Sequence, residues 1–396
     1  MRHLFITQDY APDMGGMARR HVELCRRFPP DTLVSTVSAV DAAAADAAEP
    51  VTVNRQPFNF RQAGRVTNQL RWAHWLRTRV GGYGIVHCGN IRPCGYAAWW
   101  AWKRTGVPYL VYVNGGDLLR EREKMPRGLK RLTARRILGD AAGIVANSAW
   151  TGELARDVMR EAGVSPLPPV ADFPLGTDPL QFGPGHATGE IRAKLGLGVD
   201  PYLLTVARLV PHKGQDVALR AIARLAGEFP NLRYVIVGEG PDEPRLRELA
   251  RSLGVCERVA FAGPMRDDEL PAVYAGAAVY VGLSRLVPPI NVEGFGISFV
   301  EAAASGVPSV AGDSGGVRSA VLDGDTGLVV PPADDDRVAD AIRVLLADEG
   351  QRRRLGAAAR EAALQRFNWE RVVRDTLEFA AHCVDRQRAG TAEPAS

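Results

Sequence analysis

The chain alternates short apolar runs with amphipathic helical patterns along nearly its whole length, and that alternation restricts the folds open to it. In the first half, candidate strands fall at 3–7, 33–38, 51–55, 85–88, 109–113 and 143–146. Helix-like stretches separate them at 17–28, 64–80, 93–104, 127–138 and 149–162. Strand-length runs each followed by a helical segment predict a parallel sheet with helices on both faces. Pro and Gly then cluster over 166–185, which reads as a connection between domains. The alternation resumes with strands at 202–207, 233–237, 259–262, 279–282, 308–311 and 327–330, and helices at 214–227, 243–253, 267–276, 297–305 and 336–347. A last helix, 369–384, precedes a polar tail expected to be disordered. The alanine-rich, acidic piece 41–49 reads as a solvated loop.

At 396 residues the chain is too long for one core of ordinary size. Two doubly wound, Rossmann-like α/β domains are expected, 1–176 and 177–368, with 369–396 returning to the first. Their charges differ. Residues 1–176 carry 24 Lys and Arg against 15 Asp and Glu, whereas 177–396 carry 25 against 30. The first half is therefore suited to an anionic partner. Hydrophobic content of 46% and charged content of 24% are those of a soluble globular protein. The opening MRHLFITQDY reads as a first strand rather than a signal peptide. Five scattered cysteines with no Cys-x-x-Cys pair argue against a disulfide framework or a zinc site and fit a reducing compartment. A cytoplasmic location is expected, with peripheral placement at the inner face of a membrane as a further option.

Ligands of open α/β sheets bind beyond the C-terminal strand ends, so residues just after strands are the candidates for function. Two such domains facing each other would form a deep cleft. In EGFGISFVE, Glu293 and Glu301 flank a glycine-broken turn. A helix starting near Ile297 would put Glu301 about one turn inside it and leave unoccupied N–H groups beside Glu293. That arrangement suits a nucleotide sugar, with a diphosphate on the amides and hydroxyls on the carboxylates. An exposed acidic loop is the plainer alternative. Arg208 and Lys213, in ARLVPHKG, would place two cations beside another helix start, suited to a diphosphate. Gly15 and Gly16 would either admit a phosphate close to backbone or make a tight turn. Glu239, in VGEGP, would line a nucleotide pocket or belong to a plain turn. The 263–266 segment, ending in Arg266, would present backbone groups to a base edge.

Asp323 and Asp325 form a D-x-D pattern, and 334–336 is an acidic run. The first reads as a turn and the second as a helix cap, so no metal site is expected. His87 either faces the ligand side or is a structural histidine. Two basic segments, 61–80 with Trp72 and Trp75, and 118–136, are candidates for contact with an anionic membrane, or are solvated helix faces with buried tryptophan. No nucleic-acid motif accompanies the charge.

Together, Gly15-Gly16, LGTDPLQF (175–182), ARLVPHKG (207–214), VGEGP (237–241) and EGFGISFVEAAASGVPSVAGDSGG (293–316) resemble the retaining GT-B glycosyltransferases of family four. The resemblance covers nearly the whole chain and implies two Rossmann-like domains across a cleft. It implies that Arg208 and Lys213 neutralise the donor diphosphate, with Glu293 as the third catalytic residue. Glu293 and the amides of Phe295, Gly296 and Ile297 would position the transferred sugar. Glu301 would hold the ribose hydroxyls, and Gly16 would let the first domain approach the diphosphate. It implies no cofactor and no metal, and retention by same-face attack. Asn114 stands where many relatives carry a histidine, on the acceptor side. The loop 283–296 is long, somewhat as in bacterial phosphatidylinositol mannosyltransferases. That likeness slightly favours GDP-mannose, or otherwise a UDP-sugar, as donor and a lipid-linked acceptor; a glycan or small-molecule acceptor remains open. Other readings are a nucleotide-sugar epimerase or phosphorylase on this fold, or a non-catalytic sensor of nucleotide sugars.

Overall fold

The structure is a computed structural model and describes residues 1–12, 15–60, 65–186 and 188–392. Two compact units form: Met1–Pro174 with Trp369–Ser396, and Leu175–Asn368. The sheet of the first unit is built from β1 (His3–Ile6), β2 (Leu33–Val37), β3 (Thr52–Gln56), β4 (Ile85–Cys88), β5 (Tyr109–Val113), β6 (Gly143–Ala146) and β7 (Val170–Asp172). The order is β3-β2-β1-β4-β5-β6-β7, with every pairing parallel. Parallel strands need a crossover at each step, and the intervening helices supply it. A buried core of Leu4, Ile6, Val86, Val111 and Ile144 runs through this sheet.

The second unit holds β8 (Tyr202–Val206), β9 (Arg233–Val237), β10 (Val259–Gly263), β11 (Val279–Gly282), β12 (Ser309–Gly312) and β13 (Gly327–Val330). Its order is β10-β9-β8-β11-β12-β13, again all parallel. Leu203, Tyr234, Val281 and Val310 sit in its core.

Several expectations are corrected. The segment read as a connection contains β7, which hydrogen-bonds to β6 in register from Ile144↔Val170. The 41–49 piece forms a short helix, Ala42–Ala47, as its alanines favour. A helix at Glu349–Gln365 was not expected from sequence. The terminal helix Trp369–Ala392 packs in the first unit against the helix Gly16–Arg27, where Arg27 Nε donates to Glu370 at 2.9 Å. It continues through 385–392, the larger part of the tail expected to be disordered, and 393–396 lie outside the described residues.

Trp72 does not reach a surface. It is 0% exposed, stacks on Phe60 and donates its indole N–H to Ser35 Oγ at 3.0 Å. Residues 61–64 of that basic segment lie outside the described residues. Among the described residues, no helix is long and apolar enough to cross a membrane.

Candidate functional site

The polar cluster of the second unit gathers at the C-terminal ends of its strands. After β8 the chain turns through Arg208 into a short 3-10 helix, Pro211–Lys213, and then the helix Gln215–Leu225. The hinge is Gly214 at φ +75°. A Cβ there would stand 2.0 Å from the Leu283 carbonyl oxygen, so only glycine lets these two segments close on each other. Backbone bonds tie the neighbouring strand ends: Ala207 N–H to Val237, Leu209 N–H to Glu239 and Gly238 N–H to Gly263, at 2.8–3.0 Å.

Closure of Gly214 on the segment after β11 brings residues 80 apart into contact. Lys213 Nζ lies 2.5 Å from Glu293 Oε2, with both side chains less than one-fifth exposed. Ser284 Oγ approaches the same oxygen at 3.5 Å. Burial pushes the Glu293 carboxyl up, but the Lys213 ammonium and the Phe295 N–H outweigh it and hold the carboxyl below its ordinary range. Glu293 is therefore a charged carboxylate at neutral pH. The helix Ile297–Ala304 follows, starting from Gly296 at φ +95° with no acidic side chain in its first turn. Its open amide end is electropositive.

Arg208 is exposed, and among the described residues no carboxylate pairs with it. It is the available cation of the cluster, whereas Lys213 is already paired. His212 between them is 9% exposed. Burial, then Lys213, Arg208 and Arg285, push its pKa down to about 4 against the pull of Glu293. It is neutral at physiological pH. Sequence reasoning missed His212, and it missed the clamp beneath the long loop. Arg285 Nη1 lies 3.0 Å from Asp216 Oδ1 and Nη2 lies 3.1 Å from Oδ2, while its N–H donates to the His212 carbonyl at 2.9 Å. The adjacent His-Lys pair and the arginine in the loop were visible, but their partners lie far along the chain.

The other expected residues distribute unevenly. Glu301 is 4% exposed and accepts from the buried Tyr274 hydroxyl at 2.7 Å. Phe295 is 1% exposed against Phe367, and its amide is already spent on Glu293 rather than free. Glu239 is an exposed side chain whose carbonyl holds Leu209. Arg266 does not join the cluster. Its guanidinium binds Asp268 at 2.9 and 3.1 Å and its N–H binds Glu269 at 3.1 Å. Asp334 accepts from Arg337 N–H at 3.0 Å as a helix cap, and Asp323 accepts from Val329 N–H at 2.8 Å across a turn.

In the first unit, Gly15 is extended at φ −159° and Gly16 opens a helix. Among the described residues a Cβ on either would meet nothing within 4 Å, and neither has the positive φ of a tight turn. Asn114 follows β5, where its Oδ1 accepts from Arg20 Nη1 at 2.7 Å. His87 is a correction. It sits inside β4 at 0% exposure, 2.9 Å from His3 Nδ1 and 2.8 Å from the Tyr112 hydroxyl, among Phe5 and Phe28. Its side chain points into the helix-covered face of the sheet, and burial holds its pKa well below the ordinary value. It is a core residue and cannot meet an acceptor.

Two parallel doubly wound units, of seven and six strands, define the GT-B class. The second unit matches the model described as "Glycosyl transferases group 1" over 188–362, and the first matches "Glycosyltransferase Family 4" over 14–169. The chain belongs to this glycosyltransferase family. It is 32% identical to the D-inositol 3-phosphate glycosyltransferase of Geodermatophilus obscurus, over 98% of this chain and 89% of that one. It is 39% identical to the GDP-mannose-dependent alpha-(1-6)-phosphatidylinositol monomannoside mannosyltransferase of Mycolicibacterium smegmatis, over 60% of this chain and 62% of that relative's length. Among solved structures, the fold is shared with Anabaena HepE in complex with UDP and glucose (TM-score 0.78, 20% identity, 96% and 99% coverage). It is shared equally with the sucrose-phosphate synthase of Thermosynechococcus elongatus (TM-score 0.79, 23% identity, 96% and 98%).

Proposed function

We propose that this protein is a retaining glycosyltransferase that moves a sugar from a nucleoside-diphosphate sugar to an acceptor hydroxyl, without a metal. The observation that carries it is the charged Lys213–Glu293 pair beside unpaired Arg208 and an open helix start. Arg208 and Lys213 take the place of a divalent cation on the diphosphate, and Glu293 positions the transferred sugar. Glu301 binds the ribose. The acceptor oxygen attacks the anomeric carbon on the face from which the diphosphate leaves. The carbon–oxygen bond to phosphate breaks with its electrons, and the departing phosphate oxygen takes the acceptor proton. The products are the nucleoside diphosphate and a glycoside of unchanged anomeric configuration. GDP-mannose leads the donor candidates, because the mannosyltransferase relative is named for it, and a UDP-sugar follows. A polyol or lipid-linked acceptor follows from the same relatives. The test is nucleotide release from GDP-mannose and UDP-glucose in EDTA, with the anomeric configuration of the product read by NMR. An inverted product, or a strict metal requirement, would overturn the mechanism.

A lipid-facing surface is the second part of the proposal. The helix Gly128–Gly139 buries Ala134, Ile137 and Leu138. It exposes Leu129 (74%) and Leu132 (48%) among Lys130, Arg131, Arg135 and Arg136. Cations beside exposed leucines suit an anionic bilayer rather than bulk water. Co-sedimentation with phosphatidylglycerol vesicles, lost in Leu129→Glu/Leu132→Glu, is the expected result. Equal recovery of both proteins with those vesicles counts against it.

A further inference from the structure

Glu301 sits in the second turn of the helix Ile297–Ala304. A helix of 8 residues is too short to hold its own shape and takes its place from what surrounds it. Its C-terminal end is fixed from the helix Glu349–Gln365. Arg360 Nη1 donates to the Ala304 carbonyl at 2.6 Å, where a cation suits the negative end of the helix. The same nitrogen reaches the Phe182 carbonyl at 2.8 Å and the Pro179 carbonyl at 3.1 Å.

The helix also rests on a buried aromatic cluster. Tyr274, from the helix Leu270–Ala275 between β10 and β11, meets Phe182 edge-on, with ring centroids 5.6 Å apart and planes at 82°. On its other side the Tyr280 ring lies 5.9 Å away, and Tyr280 in turn meets Phe299 at 5.3 Å. All four rings are buried. A phenol packed in this way has no room to swing its hydroxyl elsewhere.

Two hydroxyls of the cluster hold two residues of the helix. Tyr280 bonds Ser298 Oγ at 2.7 Å, and Tyr274 donates to Glu301 Oε2 at 2.7 Å. Ser298 and Glu301 are three residues apart and so share one helical face. The last torsion of a glutamate is broad and has little preference of its own, so an outside donor sets it. By fixing Oε2, the Tyr274 hydroxyl also fixes where Oε1 points. A vicinal diol can donate to both oxygens of a carboxylate only when that plane is correctly turned.

We propose that Tyr274 is a positioning residue for ribose recognition: its phenol keeps the Glu301 carboxylate turned to receive the two ribose hydroxyls of the nucleotide. The inference rests on the reading of Glu301 as the ribose ligand. Tyr274 itself touches no part of the nucleotide. Its loss therefore acts on the ribose hydroxyls alone and not on the base or the diphosphate.

The test uses the full chain. Calorimetric titration compares GDP and UDP with their 2′,3′-dideoxy analogues on wild type, Tyr274→Phe, Glu301→Ala and the double variant. The wild type should favour the ribonucleotide by roughly tenfold or more, the worth of two hydrogen bonds to a carboxylate. Glu301→Ala should abolish that preference. Tyr274→Phe should cut it by roughly threefold or more and leave the affinity for the dideoxy analogue unchanged. Adding Tyr274→Phe to Glu301→Ala should change nothing further. Tyr274→Phe keeps the ring and its packing. If it does not fold, Phe182→Leu, which loosens the ring but keeps its hydroxyl, should narrow the preference in the same direction. A full wild-type preference in whichever variant folds, or equal weakening of both nucleotide forms, overturns the inference. A preference that survives in Glu301→Ala, or is absent from the wild type, instead overturns the reading of Glu301 as the ribose ligand, and the inference with it.

Discussion

Lys213 and Glu293 meet at 2.5 Å although 80 residues separate them, and they meet because Gly214 has no side chain. The ion pair that organises the candidate donor site is thus a consequence of backbone closure against Leu283. Gly214→Ala combines a contact that must shift with a φ of +75° that alanine avoids. It should destabilise the protein by more than about 1 kcal/mol. Chemical denaturation checks this, and a stability equal to wild type would mean the two segments do not close as described.

Arg208 is exposed and, among the described residues, has no carboxylate partner, so Arg208→Ala should leave stability nearly unchanged. Turnover should fall on the order of 10²–10³, as for loss of one preorganised electrostatic contact. Steady-state kinetics beside a melting curve separate the two effects. Near-normal turnover would remove Arg208 from the mechanism.

Lys213→Ala leaves a largely buried carboxylate without its cation. A loss of about 1–3 kcal/mol is expected, because an orphaned buried charge costs more than the pair contributes. Lys213→Met with Glu293→Gln should recover most of it. A double-mutant cycle with no coupling would contradict the pairing.

His212 titrates at about 4 in the folded protein, against an ordinary value of 6.5. The unfolded chain therefore binds a proton first as pH falls. Stability from this group is complete above pH 6.5, declines through the window from 6.5 to 4, and levels off below. The depressed Glu293 carboxyl acts in the same direction at lower pH, below its ordinary 4.5. His212→Asn should flatten the stability slope between pH 6.5 and 4 relative to wild type. An unchanged slope there would show that His212 is not buried neutral.

The sheets were legible because Val, Ile, Leu and Tyr runs are bounded by Gly or Pro, as in Tyr109–Val113 after Pro108 and in Val279–Gly282. β7 was not, since Val170-Ala171-Asp172 is three residues long and lacks a periodic signal. The helix Glu349–Gln365 hid in an arginine- and alanine-rich stretch with few apolar residues to mark a face. Arg208 and Lys213 were singled out because they follow a strand end, and Glu293 because a glycine-broken turn and a helix start follow it. His87 was left between the ligand side and the core, and Trp72 between a membrane face and the core, because one-dimensional patterns give a residue's position along a strand or helix but not its depth. The Arg285–Asp216 clamp joins residues 69 apart and leaves no local trace.

In the proposed reaction the second unit grips a nucleoside diphosphate through cations rather than a metal. Calorimetric titration of GDP and UDP in EDTA, on wild type and on Arg208→Ala, tests it most directly. Binding of one nucleotide to the wild type in EDTA, weakened at least roughly tenfold in the variant, is the predicted result. No binding of either nucleotide, binding only when a divalent cation is restored, or equal affinity in the variant would contradict it.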